Sequence, residues 1–96
     1  MIASFGDAAT EDFFHGRDTK RARSIPRDIA SVAHRKLDYV HAAVSLEDLK
    51  VPPGNRLELL KGNLAGRHSI RINQQWRVVF RWENGAAHEV TIVDYH

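Results

Sequence analysis

Residues 68–96 read HSIRINQQWRVVFRWENGAAHEVTIVDYH, and much of this stretch alternates in steps of two. Trp76, Val78, Phe80 and Trp82 fall on one side of the count, and Arg77, Val79 and Arg81 fall on the other. Side chains of a strand point alternately to its two faces. The stretch therefore predicts a strand with one apolar face and one largely basic face. RHSIRIN, just before it, alternates too, with Ser69, Arg71 and Asn73 opposite Ile70 and Ile72. NQQ at 73–75 reads as the tight turn between the two strands. Asn84-Gly85 is the strongest short hairpin signal, and HEVTIVDYH then supplies the last strand. Upstream, RLELLKG at 56–62 is a further strand candidate.

VPPGN at 51–55 marks where the period changes, because proline cannot continue a helix. Ahead of it, Ile29, Val32, Ala33, Leu37, Val40 and Val44 recur at helical spacing. They predict a helix over 26–43, opened by Pro26, with Ser45 placed to cap a final turn, SLEDLK. GRDTKRARSIP at 16–26 is polar and aperiodic, a connector. DAATEDFFHG at 7–16 predicts a short helix capped by Asp7 and ended by Gly16, with Phe13 and Phe14 as core anchors. MIASF at the start is a short strand candidate. A strand, then helices, then strands joined by short turns predicts an α+β architecture. Its N-terminal strand and two helices pack on a mostly antiparallel sheet, in one domain over 1–96.

Composition narrows the function. A chain of 96 residues with 43% hydrophobic content holds one modest core and is not disordered. It has no cysteine, which removes disulfides, thiolate nucleophiles and thiolate metal sites. No apolar run approaches the roughly 20 residues of a membrane span, and MIASFGD lacks the basic start and apolar core of a signal peptide. A cytoplasmic protein without membrane contact is expected. Net charge is only +2, yet six basic residues lie from Arg56 to Arg81 with a single acid, Glu58, among them. Such a face suits a polyanion such as nucleic acid, and a solvated sheet face with scattered arginines explains the count equally well.

His34, Asp38 and His41 share one face of the long helix at i, i+4 and i+7, a spacing three zinc ligands can use. A solvated flank beside the core stripe explains them without metal, and none is assigned. The remaining polar set is concentrated in the sheet: Glu58 and Lys61, then Arg67, His68 and Arg71, then Arg77, and finally Asp94, Tyr95 and His96. These are the parts that cleavage of RNA by its own 2′-OH requires. A base takes the hydroxyl proton, cations hold the charge growing on phosphate, and an acid protonates the departing 5′-oxygen. An aromatic ring can stack on an unstacked base. In a straight strand Tyr95 and His96 face opposite ways, so both reach one site only if the chain bends there. On residues alone, a nucleic-acid-binding domain and a ribonuclease both remain open.

The block PPGNRLELLKGNLAGRHSIRINQQWRVVFRW with the later VDYH resembles the HigB family of toxins from bacterial type II toxin–antitoxin systems, within the RelE/ParE-like superfamily. The likeness runs from MIASF through the RKL of the long helix to His96. It implies a ribosome-dependent endoribonuclease that cuts messenger RNA in the decoding site of the 70S ribosome, with no cofactor. It also implies a HigA-type helix-turn-helix antitoxin, through which alone the toxin meets operator DNA. Carried over by position, Glu58, Arg77, Tyr95 and His96 are the expected catalytic residues, and Lys61 and Asp94 support them. Arg67, His68 and Arg71 are the expected further contacts to RNA. Some members have histidine where this chain has Glu58. Free glutamate, with a pKa of about 4.3, is a weaker base than imidazole, so the base stays open between Glu58 and His96. The end of the last strand is expected to form the edge of the active site. Alternatives within the fold are a ParE-like toxin that binds DNA gyrase without nuclease activity, and a catalytically decayed binding protein.

Overall fold

A computed structural model describes residues 1–95; His96 lies outside the described residues. Helix α1 spans Ala8–Phe14 and α2 spans Arg27–Ala42. Four strands follow: β1, Glu58–Leu59; β2, His68–Arg71; β3, Trp76–Glu83; and β4, Ala86–Asp94. They pair antiparallel in the order β1-β2-β3-β4, so each strand lies beside its neighbour in sequence, as short turns dictate. The β3–β4 turn places Asn84 and Gly85 at positive φ, the conformation this hairpin pair supplies. Arg27–Ala42 lays Ile29, Ala33, Leu37 and Val40 against Ile70, Val78, Phe80 and Val90 of the sheet, and these form the core. The expected α+β architecture is the one observed.

Several boundaries differ from the reading, each for a local reason. MIASF forms no extended strand. It makes two isolated parallel bridges, Ile2 with Ala87 and Phe5 with Val90, along the outer edge of β4. Thr10 in α1 takes the next edge group, its Oγ1 accepting the Ile92 N–H at 3.0 Å. Pro26 is the residue before α2, with ψ 139, rather than its first turn. The helix stops at Ala42 because Asp48 accepts the N–H groups of Val44 and Ser45, at 2.9 and 3.2 Å, which begins a separate 3-10 turn. Val44 is thereby turned out to 79% exposure and Ala43 takes the buried place. RLELLKG yields only the two residues of β1, since Gly62–Leu64 forms a 3-10 turn and leaves Lys61 outside the strand. Asn73 leaves the ladder, its Oδ1 accepting the N–H groups of Gln75 and Trp76 to close the β2–β3 turn.

One lysine of the long helix is buried, against expectation. Lys36 sits on the core side of α2 and donates to Asn55 Oδ1 at 2.5 Å. Asn55, itself buried, donates onward to the carbonyls of Leu49 and Val51 at 3.2 and 3.3 Å. This network fastens the proline-bearing loop to α2 just before the chain enters β1.

Candidate active site on the open face of the sheet

Helix α2 covers one face of the sheet. The opposite face carries the basic side chains, and cross-strand register fixes their neighbours. Residues directly opposite share a face. Glu58 pairs with Ser69, which pairs with Val79, which pairs with Thr91. In the adjoining row Arg71 pairs with Arg77, and Arg77 with Val93. Arg77 is held from two directions. Its Nη1 donates to Ser69 Oγ at 3.0 Å, and its guanidinium lies 5.2 Å from the centre of the Tyr95 ring. Tyr95 is placed by one backbone bond beyond β4, its N–H donating to the Gln75 carbonyl at 2.6 Å.

The charge on this face is uneven. Arg67 and Arg81 are neutralised: Arg67 pairs with Glu89 at 2.7 Å, and Arg81 pairs with Glu83 and lies 3.8 Å from Glu89. Among the described residues, Arg71 and Arg77 form no salt bridge, although they stand directly opposite one another. Like charges facing across a ladder destabilise it. A phosphate between them would turn that cost into two charge-assisted contacts, and arginine can make such contacts bidentate.

The expected site residues divide into groups. Glu58, Arg71, Arg77 and Tyr95 come together on the open face. Glu58 is exposed, one strand from the Ser69 that anchors Arg77. Lys61 is exposed beyond the end of β1. Arg67 shares the open face, but Glu89 compensates its charge. Asp94 pairs with Trp76, whose ring packs toward the core, so parity gives it the side opposite Tyr95. Its carboxylate accepts from the Gln75 amide at 3.0 Å. His68 is not brought to the arginines. Its ring stacks on Phe80, centroids 6.3 Å apart, its Nδ1 is buried without a partner, and burial holds its pKa below the usual 6.5. A neutral imidazole on the helix side offers nothing to a phosphate. His96, the remaining expected residue, is not described.

Two contributors were not singled out from the sequence. Ser69 orients Arg77, and only its place in the alternation hinted at that face. Glu89 depends on a bulge: register slips between Val79 and Arg81, and Glu89 takes φ 53. His34, Asp38 and His41 are used within the fold. His34 stacks on Phe14 and approaches Asp38 at 3.3 Å, while His41 Nδ1 accepts the Ile2 N–H at 3.1 Å. No helix among the described residues is long and apolar enough to cross a membrane.

Known proteins share this sequence and fold. Residues 3–96 match a family model described as the RelE-like toxin of the type II toxin–antitoxin system HigB. The chain is 46% identical over 87 residues to Toxin HigB-1 of Vibrio cholerae serotype O1, spanning 91% of this chain and 90% of that one. An uncharacterized protein of Haemophilus influenzae is 38% identical over 80 residues, spanning 83% and 77%. The YoeB–YefM complex from Staphylococcus aureus contains a chain that aligns with TM-score 0.60 and 20% identity, over 100% of this chain and 98% of its own, which is a likeness of fold. A second structure of that pair is a heterotetrameric toxin–antitoxin complex, with the same score and coverage.

Proposed function

Because this chain belongs to the HigB-like toxins, RelE-like members of type II toxin–antitoxin systems, we propose that it is a ribosome-dependent endoribonuclease acting on messenger RNA. The observation that carries the reading is the opposed pair Arg71 and Arg77, without carboxylate partners among the described residues and with the Tyr95 ring beside Arg77. The scissile phosphate lies against Arg77, and Arg71 and Lys61 meet the flanking backbone. Glu58 or His96 removes the proton from the ribose 2′-OH, whose oxygen attacks phosphorus. The bond to the 5′-oxygen breaks, and an acid from the Tyr95–His96 end of the chain returns a proton to that oxygen. The products are a 2′,3′-cyclic phosphate and a 5′-hydroxyl. Arg77 stabilises the charge gathering on the non-bridging oxygens, and Tyr95 stacks on an adjacent base.

A HigA-type helix-turn-helix antitoxin is the proposed partner. The family assignment and the toxin–antitoxin complexes of the Staphylococcus aureus relative support it. Primer extension on transcripts after brief induction tests the activity. Discrete cuts are expected inside translated reading frames, and they should vanish when the start codon is removed. Intact transcripts together with gyrase-linked DNA breaks would favour the ParE-like alternative.

A further inference from the structure

The two tight turns of the sheet are closed by different means. Asn84 and Gly85 turn β3 into β4 with positive φ at both positions. Residues 73–75, between β2 and β3, have neither glycine nor positive φ. Asn73 closes that turn instead. Its Oδ1 accepts the N–H groups of Gln75 and Trp76 at 2.8 and 2.7 Å. The Trp76 carbonyl accepts those of Ile72 and Asn73 at 2.9 and 3.2 Å. The turn is therefore complete without the side chain of Gln75 or its carbonyl.

Both of those groups go to the end of β4. The Gln75 amide donates to Asp94 Oδ2 at 3.0 Å, and the Gln75 carbonyl accepts the Tyr95 N–H at 2.6 Å. One turn residue thus grips two successive residues, one by side chain and one by backbone. The grip has a firm base, because the neighbouring Trp76 packs against the core. It also acts where a strand opens most easily, since elements fray at their ends. What it holds lies at the candidate site. The Tyr95 ring is 5.2 Å from the Arg77 guanidinium, and His96 is joined to Tyr95 by one peptide bond.

We propose that Gln75 is a positioning residue for RNA cleavage, acting through Asp94 and Tyr95 to hold the end of β4 beside Arg77. The proposal rests on the nuclease reading for what the held residues do. Stacking and proton transfer depend on placement, and a displacement of about 1 Å can cost about 10²-fold in rate. In this role Gln75 makes no contact with RNA. Asp94 receives the grip, a task that needs no phosphate. Gln75 and Asp94 are both exposed, so water replaces their bond readily and the bond adds little to global stability. Its loss should show in how Tyr95 is held and in the rate, not in the melting temperature.

Three variants of the full chain separate the grip from other effects. Gln75→Ala removes the amide. Gln75→Glu sets a carboxylate against the Asp94 carboxylate. Gln75→Lys keeps a donor facing it. Backbone order at the Tyr95 amide is read from the heteronuclear Overhauser effect of the nitrogen-15-labelled toxin. Cleavage of a defined message on ribosomes, followed across toxin concentrations, gives a maximal rate and a half-saturating concentration. Gln75→Ala and Gln75→Glu are expected to melt with the parent, to loosen Tyr95 and to lower the maximal rate about tenfold. Their half-saturating concentrations should not change. Gln75→Lys is expected to keep Tyr95 ordered and to restore the maximal rate.

An ordered Tyr95 and a parental rate in Gln75→Ala would overturn the proposal and leave the nuclease reading standing. So would a loss confined to the half-saturating concentration, which would make Gln75 an RNA contact. So would a Gln75→Lys that behaves as Gln75→Glu does. A loosened Tyr95 in Gln75→Ala, with a parent that cuts nothing on ribosomes, would uphold the grip and remove the nuclease reading.

Discussion

Arg77 is the residue on which the proposed chemistry depends most, and its environment separates charge from shape. Ser69 and the Tyr95 ring fix the plane of its guanidinium. Lysine keeps the charge but loses the planar, bidentate grip. Arg77→Lys is therefore expected to fold normally and lose about 10²–10³ in cleavage rate, the usual cost of one transition-state donor. Full toxicity of this variant in a growth assay would reduce Arg77 to a general electrostatic contact. Asp12 makes a different argument, about stability. Buried on α1, it accepts from Arg17 and Thr19 at 3.0 and 2.9 Å and lies 3.2 Å from Arg21. The Arg17 hydrogen bond, with Thr19 and the Arg21 charge behind it, holds its carboxyl below the usual 3.8. A depressed folded pKa gives stability that is present above the unfolded pKa and lost as pH falls through the folded one. Asp12→Asn should thus melt below the parent at pH 7, and the gap should close as pH drops below about 4. A gap that persisted in acid would mean the carboxylate charge is not what counts. Neither residue was equally legible beforehand. The alternation put Arg77 on a basic face, whereas nothing in GRDTKRARSIP announced that a helical aspartate would gather it.

Elements were legible where one periodicity acted over many residues. Residues 76–82 and the Asn-Gly turn read directly as a hairpin, and the stripe from Ile29 to Val40 read as a helix against it. Short elements were not, because tertiary contacts set their limits. The N-terminal segment is shaped by the β4 edge, β1 by the turn at Gly62–Leu64, and Val44 by the Asp48 cap. The same cause hid His68, whose neighbours suggested a cationic cluster while strand parity sent it to Phe80. The Lys36–Asn55 network is another case and makes a prediction. Asn55→Ala strands a buried ammonium and leaves two carbonyls without this donor. Leaving a buried polar group unsatisfied costs about 1–3 kcal/mol, and more for a charged one. Urea unfolding should show a loss of about 3 kcal/mol. Lys36→Met, which removes the charge and keeps most of the apolar stem, should cost less. The reverse order would show that the loop is held by packing rather than by this bridge.

At the scale of the whole molecule, two faces of one sheet divide the labour. The helix side holds the core; the other side sets two arginines opposite one another, with no salt bridge to either among the described residues. In the proposed reaction this face supplies phosphate binding and an aromatic platform, and the RNA supplies its own nucleophile through the 2′-OH. The proposed reaction also needs two proton transfers. Of the groups proposed for them, His96 is the one whose free pKa, about 6.5, suits both giving and taking a proton at neutral pH. On β4 the core includes Val90 and Ile92. His96→Ala is expected to melt with the parent and to bind antitoxin, yet to lose most cleavage of translated messages. Tyr95→Phe should be milder than Tyr95→Ala if the ring acts by stacking. Products from the parent should carry 2′,3′-cyclic phosphate or 3′-phosphate and a 5′-hydroxyl. Treating the purified toxin with chelator before adding it to magnesium-balanced ribosomes should not slow it. Products with 5′-phosphate ends would mean that water, not the ribose, attacks, and would call for a metal ion. A folded, fully toxic His96→Ala with cyclic ends would keep the ribose as nucleophile and move the proton transfers to Glu58.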